Sequence, residues 1–237
     1  METVGVPGVR DSDLPAGPPP SARWLLTGFW VCAALHLLLV AADLGPWDAL
    51  TKAMLLPLLA AWAAACGGSR GLLAALLLSW GGDVLLSIDG MFIPGMVSFG
   101  AAHACYIGCF VRRGALRRLR RVPLIPLLYG LGWAAGIAVI WPGLGSMGPP
   151  VAAYSLLLLV SALTARGFSA RAGTGGLLFL LSDSLIGVDL SDLPRLPLHG
   201  VIVMATYLAA QYLLASALLR KTRHIGSPSA RHPRQAR

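Results

Sequence analysis

Apolar stretches of roughly 17 to 22 residues recur along this chain, each long enough to cross a hydrocarbon core ~30 Å thick, some only with their polar flanks. They run near residues 24–42, 49–65, 71–89, 95–111, 122–141, 149–165, 174–190 and 198–219. Helix breakers separate them: Gly45-Pro46, Gly67-Gly68, Pro94-Gly95, Pro142-Gly143, Pro149-Pro150, Gly173, and Pro194 with Pro197. The predicted fold is therefore all-α, a polytopic bundle of eight transmembrane helices over residues 23–220. A Pro- and Gly-rich tail (1–22) and a basic tail (221–237) are expected to be disordered. Composition agrees: at 56% hydrophobic and 12% charged, 237 residues carry too little polar surface for a water-soluble domain of that size.

Charge sets the expected orientation. With the N-terminus cytoplasmic, all but Lys52 and Arg195 of the 19 lysines and arginines fall on the cytoplasmic side. Basic residues in short loops stay on that side, so both termini are predicted there, with the Gly143–Met147 loop opposite. The net charge of +9 does not point to nucleic acid, because the basic residues sit in short segments with no basic helix carrying interleaved aromatics. The arginine loop at 112–121 reads first as a topology signal and second as a contact for anionic lipid. Cys32, Cys66, Cys105 and Cys109 lie in or at the end of apolar runs without CxxC spacing, as small membrane-core residues rather than metal or disulfide partners.

Inside this apolar pattern stand two carboxylates. Asp83 sits in GLLAALLLSWGGDVLLSIDG, and the context returns a hundred residues later: Gly82-Asp83-Val84-Leu85-Leu86-Ser87-Ile88-Asp89 aligns with Ser182-Asp183-Ser184-Leu185-Ile186-Gly187-Val188-Asp189. The match is an internal repeat of the third and fourth spans in the seventh and eighth. An aspartate at a transmembrane helix centre costs ~2.5–3.5 kcal/mol and normally faces a bundle interior or a watered cavity. Gly81 and Gly82 leave room for a neighbouring helix.

Counting ~1.5 Å per residue from the cytoplasmic ends puts Asp83 and Asp183 near mid-membrane. His103 falls at a similar depth with Phe99 and Tyr106 on its face, Tyr207 and Gln211 repeat that pattern on the last span, and His36 adds a polar group on the first. These groups are expected to converge on one polar cavity. Interhelical hydrogen bonding alone would be met more cheaply by Ser or Asn than by two Asp. Lys52, near the outer end of its span, is expected to snorkel or to meet a lipid phosphate. Asp43, Asp48, Asp89, Asp189 and Asp192 belong to the outer boundary, most of them solvated.

Two carboxyls buried together favour a state in which one is protonated and the other ionised, an acid and a base at neutral pH. That pair suits hydrolysis through an oxocarbenium-like intermediate, in which one carboxyl gives a proton and the other directs water. Ser79 and Ser87, one turn to either side of Asp83, favour it as the base and leave Asp183 as the acid. No metal is expected, since His36, His103 and His199 lack the spacing of a zinc site, and no G-x-S-x-G marks a serine lipase.

In these same residues the chain resembles the lysoplasmalogenase family of eight-helix membrane proteins, also called the YhhN family. The resemblance rests on Lys52 with Pro57, Gly82-Asp83, Phe99-x-x-x-His103-x-x-Tyr106, Pro150-Val151-Ala152-Ala153-Tyr154, Phe179-x-x-Ser182-Asp183 and Thr206-Tyr207-x-x-x-Gln211, over about residues 24–219. It implies hydrolysis of the vinyl ether bond of a lysoplasmalogen to a fatty aldehyde and glycerophosphocholine or glycerophosphoethanolamine. Asp83 and Asp183 would be catalytic and Lys52, His103, Tyr106, Tyr154, Tyr207 and Gln211 would support or bind substrate. The expected partner is a lysophospholipid in the bilayer, and no cofactor is implied. The competing reading is a lipid or cation carrier that uses the repeat and the mid-membrane carboxylates.

Overall fold

The computed structural model describes residues 19–191 and 193–225, so most of both expected tails and Asp192 lie outside the described residues. Those residues form eight long helices and one short one. They are α1 (Pro20–Ala41), α2 (Gly45–Ala65), α3 (Arg70–Leu86), α4 (Phe92–Arg112), α5 (Ala115–Leu119), α6 (Leu124–Ile140), α7 (Gly148–Phe168), α8 (Ala170–Asp189) and α9 (His199–Ile225). Every long helix matches one apolar run, because a chain in hydrocarbon has to satisfy its backbone groups within the segment. α1 starts and α9 ends inside the stretches expected as tails.

Six helices, α1, α2, α4, α6, α7 and α9, are long and apolar enough to cross a membrane. α3 and α8 fall short of that standard: α3 has 17 residues, and α8 is diluted by glycine, serine and charged residues. These two carry Asp83 and Asp183. Both are packed among other helices, α3 against α2, α4 and α9, and α8 against α6, α7 and α9.

α5 was not anticipated. It forms within the arginine loop after Gly114, whose φ of 85° turns the chain out of α4. The arginines there also satisfy carbonyls of neighbouring helices: Arg118 Nη1 donates to Phe168 O at the end of α7 (3.0 Å), and Arg113 Nη1 to Leu218 O of α9 (2.8 Å). The four cysteines form no disulfide.

The helices alternate in direction, which leaves one end of the bundle rich in arginine and the other nearly free of it. α3 stops at Leu86, short of the expected Asp89. Ser87 Oγ donates to the Asp83 carbonyl (3.0 Å), and Gly90, at φ 77°, reverses the chain. Asp83 therefore lies only ~4.5 Å from the helix end away from the arginines, and Asp183 ~9 Å from the corresponding end of α8. The two aligned segments differ at that end, since Asp89 falls in a turn while Asp189 closes α8.

One large core joins α1 to α4 with α7, α8 and α9. α6 stands apart from it: Ile140 is the one buried residue of that helix, which packs mainly on α7 and less on α8.

Candidate active site

Gly82 brings α3 and α4 together, because the ring of Phe99 occupies the space where a β-carbon would sit. That contact fixes the face of α3 bearing Asp83 toward the bundle interior, where Asp83 is 4% exposed. α8 turns Asp183 toward the same space. Both carboxyls line a cavity of about 100 Å³, together with Lys52, Tyr154, Ser182 and Tyr207. Its remaining walls are apolar, including Phe92, Met96 and Met204. A space of that size has room for several water molecules.

Each carboxyl has its own tyrosine. Tyr207 OH donates to Asp83 Oδ2 at 2.7 Å, and Tyr154 OH donates to Asp183 Oδ2 at 2.5 Å. Lys52 Nζ stands 3.9 Å from Asp83 Oδ1, with its side chain 23% exposed. A hydrogen bond to a charged group returns ~1.5–3 kcal/mol, against the ~2.5–3.5 kcal/mol that an aspartate costs at the centre of a membrane helix. Asp183 has no ion pair among the described residues.

The basis for making Asp83 the base needs correcting. Ser87 bonds the Asp83 carbonyl rather than its carboxylate, and Ser79 Oγ is buried without a partner. Neither hydroxyl bonds the carboxylate. The groups that do reach it, Lys52 and Tyr207, come from α2 and α9. Lys52 thus points into the cavity rather than only along the outer boundary.

His103, Tyr106 and Gln211 do not line this cavity. Phe99, Phe179 and Tyr207 pack edge to face beneath it, with centroid separations of 6.2, 5.4 and 6.0 Å, and form an aromatic floor. Below that floor His103 lies edge-on to Phe179 at 4.3 Å, with Nδ1 3.0 Å from Ser161 Oγ. Tyr106 OH donates to Gln211 Oε1 at 2.7 Å. Gln211 and Tyr207 are one turn apart on α9, so this second tier supports the helix that aims Tyr207. His36 does not line the cavity either, with Nδ1 3.0 Å from Thr51 Oγ1 in a link between α1 and α2.

At the end of α8, Asp189 is ion-paired rather than simply solvated. Arg195 Nε lies 2.6 Å from Oδ1 and His199 Nε2 3.3 Å from Oδ2, which ties the α8–α9 connection to the end of α8. Spacing along the chain gave no sign of this cluster, because the three residues come together only when the loop folds back. Ser182, beside Asp183, was also missed as a liner. Its Oγ donates to Val203 O of α9 at 3.0 Å, a contact that holds the two helices together at the site. Among the described residues no three His, Cys, Asp or Glu side chains cluster as metal ligands would.

These features define a class: a multi-pass α-helical membrane protein with a tyrosine-held pair of carboxyls on a small internal cavity. Within that class the chain belongs to the YhhN family, whose model matches residues 47–218. It is 32% identical over 208 residues to the human (Homo sapiens) lysoplasmalogenase TMEM86B, covering 85% of this chain and 89% of that protein. The rat (Rattus norvegicus) lysoplasmalogenase TMEM86B is 30% identical over 227 residues, covering 85% and 86%. The cattle (Bos taurus) lysoplasmalogenase TMEM86A is 32% identical over 139 residues, covering 54% and 55%. No solved structure matches the chain significantly.

Proposed function

We propose that this protein hydrolyses the vinyl ether bond of lysoplasmalogens, releasing a fatty aldehyde and glycerophosphocholine or glycerophosphoethanolamine. The observation that carries the reading is the unequal pair on one cavity: Asp83 faces a lysine ammonium and Asp183 does not. An adjacent cation favours the ionised carboxyl, and a carboxyl without one in apolar surroundings favours the protonated form. Asp183 is then the acid and Asp83 the base.

Asp183 gives its proton to the vinyl carbon on the chain side, and the other vinyl carbon becomes an oxocarbenium ion shared with the ether oxygen. Water adds to that carbon while Asp83 takes its proton. The resulting hemiacetal gives its hydroxyl proton to the ionised Asp183, its bond to the glycerol oxygen breaks, and that oxygen takes the proton held by Asp83. One water is consumed and both carboxyls return to their starting states. Tyr154 and Tyr207 hold the two carboxyls in place through this cycle, the preorganisation on which acid–base catalysis depends.

The carrier reading fits the cavity less well. Lys52 already places a positive charge where a cation would need to sit beside Asp83. We read all eight long helices as spans with both termini cytoplasmic, in keeping with the arginines gathered at one end.

Purified protein in detergent is incubated with a lysoplasmalogen and with its ester and saturated alkyl ether analogues. The expected result is aldehyde from the vinyl ether alone, because only that bond forms an oxocarbenium ion on carbon protonation. No aldehyde from protein that remains folded refutes the hydrolase reading. Fatty acid from the ester at a comparable rate refutes the vinyl ether mechanism.

A further inference from the structure

A second cavity, about 410 Å³, lies between α6, α7 and α8 and shares Val151, Tyr154, Asp183 and Gly187 with the first. It extends from Gly132 to Ile140 along α6 and from Leu180 to Val188 along α8, a length of ~12 Å at the rise of an α-helix. Its walls are apolar except where they meet Tyr154, Asp183 and a few hydroxyls. Two contacts keep α6 in place while leaving the space between them open. Toward the arginine-rich end Trp133 Nε1 donates to Ser155 Oγ at 2.9 Å, and at the other end Ile140, Leu144 and Val151 form a small separate core. Gly132 and Gly136 face this space with nothing within 4 Å of where a β-carbon would stand.

We propose that this groove holds the aliphatic chain of the lysolipid substrate, so that the chain enters from the bilayer between α6 and α8 and ends at the Tyr154–Asp183 pair. The proposal rests on the hydrolase reading above and adds where the chain lies. Three observations carry it. The groove adjoins the carboxyl cavity, with Tyr154 and Asp183 lining both, it is lined as a hydrocarbon chain requires, and it is bounded by the one helix that the core leaves almost unburied. Such a placement puts the chain-side vinyl carbon next to Asp183 and leaves the ether oxygen and water on the side of Asp83 and Lys52. The division of labour then follows from the path of the chain.

The test uses full-length protein in lipid nanodiscs and a saturated alkyl ether lysolipid carrying a diazirine in mid-chain, which binds without being cleaved. Photolysis is expected to label peptides covering 132–140 and 180–188, and Gly136→Phe is expected to abolish most of that labelling. Gly132→Leu provides a second, smaller filling, and Leu128→Phe, on exposed surface of α6 outside the groove, controls for a bulky residue on that helix. Labelling that stays on α6 and α8 undiminished in both filled variants, or that falls on other helices, overturns the proposal. In a parallel turnover assay, the ratio of kcat/KM for long-chain over short-chain vinyl ether substrates is expected to fall at least about tenfold in Gly136→Phe, the scale of discrimination by a filled apolar pocket. An unchanged ratio also overturns it. If the wild-type protein cleaves neither substrate, the hydrolase reading fails, and the labelling pattern still decides where the chain binds.

Discussion

Replacing Lys52 with methionine separates two jobs that the residue is able to do. Its ammonium lies 3.9 Å from Asp83 Oδ1, and two unit charges at that distance interact by ~4 kcal/mol at an effective dielectric of about 20. Solvent reaching the partly exposed lysine lowers that figure, leaving ~3 kcal/mol, on the order of 10²-fold in rate. Methionine keeps the length and apolar stem, so the loss falls on the charge. Lys52→Met is therefore expected to lower kcat about 10²-fold for a purified lysoplasmalogen, with KM changed less than about threefold, because an interaction with the base acts on the chemical step. The double variant Lys52→Met, Asp83→Asn is expected to be no slower than Asp83→Asn alone, since the lysine then has no carboxylate to serve. Steady-state kinetics on the three variants, with circular dichroism to verify folding, make the comparison. A raised KM with kcat intact would refute the reasoning and identify Lys52 as the partner of the substrate phosphate.

Asp83→Asn and Asp183→Asn are each expected to slow turnover at least ~10²-fold while the fold survives, because Asn is nearly isosteric and cheaper to bury than a carboxylate. On residual activity, Asp83→Asn should lose the acidic limb of the pH–rate profile, where the base must give up its proton, and Asp183→Asn the alkaline limb, where the acid must keep its own. The reverse pattern exchanges the roles. Tyr207→Phe removes the hydroxyl 2.7 Å from Asp83 but keeps the ring packed on Phe99 and Phe179, so a rate loss of about 10- to 10²-fold with little change in thermal melting is expected. His103→Gln, below the aromatic floor, should lower the melting temperature more than it lowers kcat, and a loss of kcat as large as that of Asp83→Asn would bring His103 back into the site. Cysteine-accessibility labelling is expected to find positions 112–121 on the same side as both termini and Gly143–Met147 opposite.

The sequence alone was enough to find the eight long helices and the two carboxylates within them. Apolar run length fixes how many segments form helices, and a single carboxylate in such a run is visible because its burial is costly wherever the helix packs. Helix ends were legible only to within a few residues. α3 stops at Leu86 because of a serine-to-carbonyl hydrogen bond and a left-handed glycine, which the apolar run through Ile88 concealed. Which side chains meet was decided by the tertiary structure. Tyr207 serves Asp83 across 124 positions and Tyr154 serves Asp183, while Ser79 and Ser87, neighbours of Asp83 in the chain, do not touch its carboxylate. His103 and Gln211 fell beneath an aromatic floor, and α6 was left standing off a groove. The physical reason is common to all of these. In a soluble helix a polar face and an apolar face reveal which side points inward, whereas in a membrane bundle lipid and core are equally apolar, so the rotation of each helix is set by close packing at positions such as Gly82 against Phe99 rather than by a pattern along the chain.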